Sequence, residues 1–226
     1  MNPEIIDFPK IKSPFVRETI NGKYVVTPKF QEGYEWILEP QVRAVDKLHG
    51  TNIAVHMSNG EIIAIDNRDT RIFSKPINLV GKQDVHKTRI LFGMLNCMSK
   101  KWLDGLKDGI HYGELIAPEI NGNLHETTIP MFVPFDYLYR KCYWISWSKG
   151  EYPKTFDSLN EWFKTLPSLF SKRVGGKEVL AEGLIFTHPD GRMAKLRRDM
   201  FDWYEGPKHK ADENTGSFEP APATEE

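Results

Sequence analysis

Alternation of apolar and polar positions marks out strands through the first third of the chain. Runs at 16–20 and 23–27 flank Asn21-Gly22, a pairing that favours a tight hairpin turn. A strand-like run at 41–45 leads into Asp46-Lys47-Leu48-His49-Gly50-Thr51-Asn52, and a second run follows at 53–57. Ser58-Asn59-Gly60 then turns the chain into an antiparallel return at 61–66, which ends in the polar stretch 67–71. Between 84 and 102 the period changes. Leu91, Met94, Leu95, Met98 and Trp102 fall on one face of a helix, which predicts that this face covers a sheet.

Further along, 110–116 reads as a buried strand carrying one carboxylate, Glu114. The aromatic run 131–139 reads as another strand carrying Asp136, with 143–147 as its continuation. Ser158 and Glu161 form a capping-box pattern ahead of Trp162, Phe163 and Leu166, so a short helix is expected to start there and stop before Pro167. Runs at 183–187 and 193–197, joined by Pro189-Asp190-Gly191, complete the strands. The count favours an α+β domain of antiparallel sheets flanked by helices. The folded domain is expected over 1–207, with an acidic, disordered tail at 208–226 and no separate C-terminal domain.

Composition sharpens this in three places. The chain is 40% hydrophobic and 27% charged, which suits a soluble globular protein, and no stretch approaches the roughly 20 apolar residues that span a bilayer. With no signal-peptide pattern and only two cysteines, Cys97 and Cys142, a reduced, cytoplasmic protein is expected, monomeric by default. The formal charge is −1, but residues 211–226 carry −5, leaving +4 on the remainder.

Lys47 is the candidate nucleophile. A lysine amine is protonated and inert at neutral pH unless desolvation or nearby positive charge lowers its pKa, and a position at the end of a buried strand offers both. Taken alone, a surface lysine in a turn fits the same stretch. Glu114 and Asp136 are acids inside apolar runs, Glu182 directly precedes a strand, and Lys195 and Arg197 project from one face of another. Together they supply a nucleophile, acids for a divalent metal and cations for a triphosphate.

These blocks resemble the covalent nucleotidyltransferases, the family of ATP-dependent ligases and mRNA capping enzymes. KLHGTN at 47–52 is similar to the family's motif I. Arg68 stands at motif Ia, and YGEL with Glu114 at motif III. FVPFDYLY with Phe135 and Asp136 stands at motif IIIa, AEGLIF with Glu182 at motif IV, and AKLRRDMF with Lys195 and Arg197 at motif V. The resemblance spans 42–201 and implies an ATP-grasp-like ligase adenylation domain. His49, where DNA ligases and capping enzymes usually have Asp, is similar to the nick-sealing RNA ligases of bacteriophage and of trypanosome editing complexes. Those enzymes carry a further C-terminal domain, whereas about 25 residues follow motif V here.

The resemblance implies an RNA ligase using ATP and Mg²⁺ (or Mn²⁺) on RNA with 5′-phosphate and 3′-hydroxyl ends, in a nicked duplex. Lys47 would accept AMP, and Lys195 and Arg197 would hold the α-phosphate. Glu182, with Asp136, would serve the metal, and Glu114 the ribose hydroxyls. Phe135 would stack on adenine, with Phe132 and Tyr137 as alternatives, and Asn52 and Arg68 would contact the phosphates or the RNA end. The alternatives are a minimal DNA ligase, a capping-type GTP enzyme, an RNA 5′-adenylyltransferase needing a partner, and a non-enzymatic nucleic-acid-binding module.

Overall fold

The structure, a computed structural model, describes residues 3–75, 78–82, 84–144 and 153–206. Twelve strands among these residues form three antiparallel sheets. In chain order they are β1 Phe15–Ile20, β2 Lys23–Phe30, β3 Arg43–Lys47, β4 Thr51–Ser58, β5 Glu61–Asn67 and β6 Thr70–Ser74. They continue with β7 Asn78–Leu79, β8 Gly109–Ile116, β9 Met131–Pro134, β10 Tyr143–Trp144, β11 Gly183–Thr187 and β12 Met193–Arg197. The α-helices are α1 Val85–Ser99, α2 Phe135–Lys141, α3 Phe156–Lys164 and α4 Leu169–Arg173. No helix of the described residues is long and apolar enough to cross a membrane.

β1 and β2 form a hairpin across Asn21-Gly22. The other two sheets run β10-β3-β11-β12 and β7-β6-β5-β4-β8-β9. Each has its own core. Ile53, Val55, Ile65, Leu115 and Phe132 from the six-stranded sheet pack with Ile90, Met94 and Cys97 of α1. Ala44, Leu184, Phe186, Ala194 and Leu196 from the four-stranded sheet pack with Phe15, Trp36, Leu159 and Phe163. Alternation explains the arrangement: odd positions of β4 and β8 enter the core, while Asn52, His56, Tyr112 and Glu114 lie on the opposite face.

Four expectations need correction. Helix α1 exists, but its buried face is Ile90, Gly93, Met94 and Cys97, whereas Leu95 and Met98 are more than half exposed. The segment is apolar almost all round, so a helical period fits two faces one residue apart. Gly93 decides between them, because a Cβ there would run into Leu115 Cδ1 and the Phe132 nitrogen, so the helix backbone sits directly on β8 and β9. The strand expected over 131–139 stops at Pro134, which has no N–H to continue a ladder and stands as the N-cap of α2, so Phe135 and Asp136 lie in a helical first turn. Residues 143–147 do not continue that strand: Tyr143 and Trp144 pair with β3, and 145–147 lie outside the described residues.

The fourth concerns α3. Its capping box uses Thr155 and Ser158, with Thr155 Oγ1 accepting from the Ser158 amide, so the helix begins three residues earlier than the Ser158–Glu161 pattern implies. In addition, the polar stretch 67–71 is a turn at Arg68-Asp69 leading into β6. The expected tail lies outside the described residues. Cys97 and Cys142 are free and buried.

Candidate active site

Lys47 is the last residue of β3 and Thr51 the first of β4, and these strands belong to different sheets. Leu48, His49 and Gly50 therefore form a three-residue crossover between the two sheets, with the Lys47 amine at its mouth. Register puts the cations together. Lys47 and Arg197 both pair with Gly183, and Val45 and Lys195 both pair with Ile185. Paired residues of an antiparallel sheet share a face, so Lys47, Lys195 and Arg197 project from one face of the four-stranded sheet.

The amine of Lys47 donates to Glu182 Oε2 at 2.8 Å and to the Leu48 carbonyl at 3.3 Å. The two side chains are 18% and 8% accessible, so the pair is largely screened from water. Burial pushes the Glu182 carboxyl up, but Lys47, His49 and Arg197 outweigh it and hold the group below the usual glutamate range. Glu182 is thus a buried carboxylate kept anionic by cations. The bonded neighbour of the Lys47 amine is this anion, in contrast to the cationic surroundings expected from sequence.

Glu114 behaves differently. Part of its side chain remains accessible, but its carboxylate is enclosed, and burial pushes its carboxyl up to about 7 against the pull of Lys47. Its Oε1 accepts the Gly50 amide at 3.0 Å. Gly50 sits at a bend in the chain but has no positive φ, so the left-handed region does not explain the residue. It is glycine for want of room: a Cβ there would collide with the Leu115 carbonyl oxygen and lie 2.9 Å from Glu114 Cγ.

Asn52 lies opposite Glu114 in the β4–β8 register, and its amide reaches the Gly113 carbonyl at 3.4 Å. Arg68 is exposed at the β5–β6 turn with φ of +53°, close enough for its charge to favour the ionised form of Glu114. Arg197 is 2% exposed and its Nε donates to Asp199 Oδ1 at 2.9 Å. Asp136 stands apart from this group. Its Oδ2 lies 3.2 Å from His111 Nδ1, and His111 occupies the alternate face of β8 from Glu114. Phe135 packs edge-on against Phe8, whose ring also meets Tyr112. Phe132 is fully buried in the core and Tyr137 stacks on Trp102, so Phe135 is the better placed of the three candidates for a ligand.

Two side chains escaped the sequence reading. His125 Nε2 accepts the His49 amide at 3.0 Å, and Asn121 Nδ2 donates to the Gly50 carbonyl at 2.6 Å. Both come from the irregular stretch Ile120-Asn121-Gly122-Asn123-Leu124-His125, with positive φ at Asn121, Gly122 and Asn123. Such a stretch carries no hydrophobic period. The one signal available was a histidine amid turn residues, which is too common to single out. Burial drives the His125 imidazole down to about 4, so it is neutral at physiological pH, as an Nε2 acceptor must be.

Among the described residues no group of three or more His, Cys, Asp or Glu side chains gathers into a closed metal site. The anionic Glu182 fits a different kind of site, in which Mg²⁺ or Mn²⁺ keeps most of its waters and uses one or two carboxylates beside substrate phosphates.

No protein-family model and no curated protein matches this sequence. Among solved structures, the chain is similar to the Naegleria gruberi RNA ligase with PPi, at 16% identity over 84% of this chain with a TM-score of 0.46. Mutant forms of that ligase with ATP and Mn and with AMP and Mn align at 14% and 12% identity over 84% and 83% of this chain, each with a TM-score of 0.45. The alignments cover 61%, 62% and 59% of the ligase chains, so this chain spans about three fifths of their length.

Proposed function

We propose that this chain is an ATP-dependent RNA ligase that joins 5′-phosphate and 3′-hydroxyl ends through a covalent lysyl-AMP on Lys47. The observation that carries the reading is the convergence of Lys47, Lys195 and Arg197 on one sheet face, with Glu182 bonded to the amine. The ordered motifs of the sequence, from Lys47 to Arg197, support it.

In the first step the Lys47 nitrogen forms a bond to the α-phosphorus of ATP and the bond to pyrophosphate breaks. The amine must first give up a proton to solvent water, and the entering triphosphate brings Lys195 and Arg197 the negative charge they are placed to neutralise. Glu182 aims the amine beforehand, which removes part of the orientational cost of attack. Its low pKa suits it to remain a carboxylate and to receive a hydrated divalent cation, whose chemistry here is charge neutralisation on the leaving group. Glu114 and Asn52 line the neighbouring sheet face where the ribose would lie, with Arg68 toward the phosphates or the RNA end. Phe135 offers its ring to the base. AMP then passes to an RNA 5′-phosphate, and a 3′-hydroxyl displaces it to close the strand.

Incubation with α-labelled ATP and Mg²⁺ tests the first step directly. The expected product is an acid-labile label on the protein that is absent from Lys47→Ala. An unlabelled wild-type protein, or a labelled Lys47→Ala, overturns the assignment. A panel of nicked RNA, DNA and mixed duplexes, beside single strands and a GTP control, then separates RNA sealing from the other nucleotidyl-transfer chemistries.

A further inference from the structure

We infer that His125 is a positioning residue for the nucleophile: its neutral imidazole fixes the backbone of the crossover that carries Lys47. The inference rests on the reading of Lys47 as the residue that takes up AMP.

The crossover is only Leu48, His49 and Gly50, and it passes from one sheet to another, so its polar backbone groups lie beyond the ladders on either side. Side chains take their place. Gly50 is held on both sides, its amide by Glu114 and its carbonyl by Asn121. The His49 amide, one residue closer to the amine, is held by His125 Nε2 at 3.0 Å. Because Nε2 accepts, the ring proton sits on Nδ1, where no hydrogen-bond partner is present among the described residues. A surface histidine would turn to satisfy both nitrogens. This one is 4% exposed and packs T-shaped against Phe170, so it keeps one nitrogen unsatisfied and the other on the His49 amide.

Asn123 braces the stretch that carries His125, since its side chain bonds the Thr127 amide, hydroxyl and carbonyl. A rigid stretch more than seventy residues downstream thereby sets the direction in which β3 ends, and with it where the Lys47 amine points. A misplacement of about 1 Å at a reacting atom costs on the order of 100-fold in rate.

The test compares wild type with His125→Leu, which keeps bulk but removes the acceptor, and His125→Gln, whose carbonyl oxygen can reach the Nε2 position. Single-turnover labelling with α-labelled ATP gives the adenylation rate at saturation and the half-saturating ATP concentration, and a thermal melt checks each fold. His125→Leu is expected to lower the saturated rate by roughly 10- to 100-fold with half-saturation shifted less than about threefold, and His125→Gln to recover most of the rate. Amide hydrogen exchange at His49, measured without ATP, should speed up by about tenfold or more in the Leu variant and return toward wild type in the Gln variant. A folded Leu variant that adenylates at the wild-type rate overturns the inference. So does a Gln variant as impaired as Leu, or a loss confined to half-saturation. If wild-type protein takes up no label, the adenylation reading falls, and unchanged exchange at His49 in the Leu variant separately overturns the positioning role.

Discussion

At the scale of single residues, the two glutamates beside Lys47 are held in opposite states by the same physics. Cations win over burial at Glu182, and burial wins at Glu114. The second has a measurable sign. A glutamate in an unfolded chain titrates near about 4.3, whereas Glu114 in the folded chain titrates at about 7. Between those values the native protein keeps a proton that the unfolded chain has released. This group's contribution therefore falls as pH rises through that window and levels off above it. Asp46, pushed up to about 6 by burial, adds a contribution of the same sign. Glu114→Gln keeps an acceptor for the Gly50 amide and removes the titration. It should gain about 1–3 kcal/mol on wild type between pH 4.5 and pH 8 in urea unfolding, and a pH-independent difference would refute this. Glu182→Gln, by contrast, should cost on the order of 100-fold in lysine adenylation at pH 7 while the protein stays folded by thermal melt. Gly50→Ala should destabilise by about 2–4 kcal/mol in the same urea assay, because backbone carbonyl and Cβ cannot share the space.

At the scale of elements, the corrected faces make predictions of their own. Met94→Ala in α1 should cost about 2–4 kcal/mol, whereas Leu95→Lys on the same helix should stay within about 0.5 kcal/mol; chemical denaturation of the pair decides which face is buried. Thr155→Ala should cost about 1 kcal/mol and Glu161→Ala very little, since Thr155 holds the cap of α3. Strands were legible because β4, β5, β8, β11 and β12 alternate cleanly or carry turn residues at their ends. The face of α1 was not, since packing against β8 and β9 at Gly93 is a tertiary fact that leaves no trace in periodicity. The aromatic run 131–139 was read as strand throughout because aromatic residues suit strands and Pro134 supplies no side-chain cap to mark the start of α2. Within the site, Lys47, Glu182, Lys195 and Arg197 were legible as motifs, and register brings them onto neighbouring strands. His125 and Asn121 were not, because they act through backbone groups distant in sequence.

At the scale of the whole molecule, two sheets with separate cores are joined through a crossover three residues long, and the candidate chemistry lies at that joint. The division also shows in where sulfur sits. Cys97 and Cys142, the chain's two cysteines, both belong to the core beneath the six-stranded sheet, and burial pushes both thiols up to about 12. Neither is nucleophilic in the closed protein, so a thiol-directed dye reacts only when the structure covering one of them opens. The native protein therefore carries two internal clocks, one in α1 and one just before β10. Dye uptake at Cys97 times the breathing of the layer that holds α1, while Cys142, one residue before β10, times the edge where that strand pairs with β3.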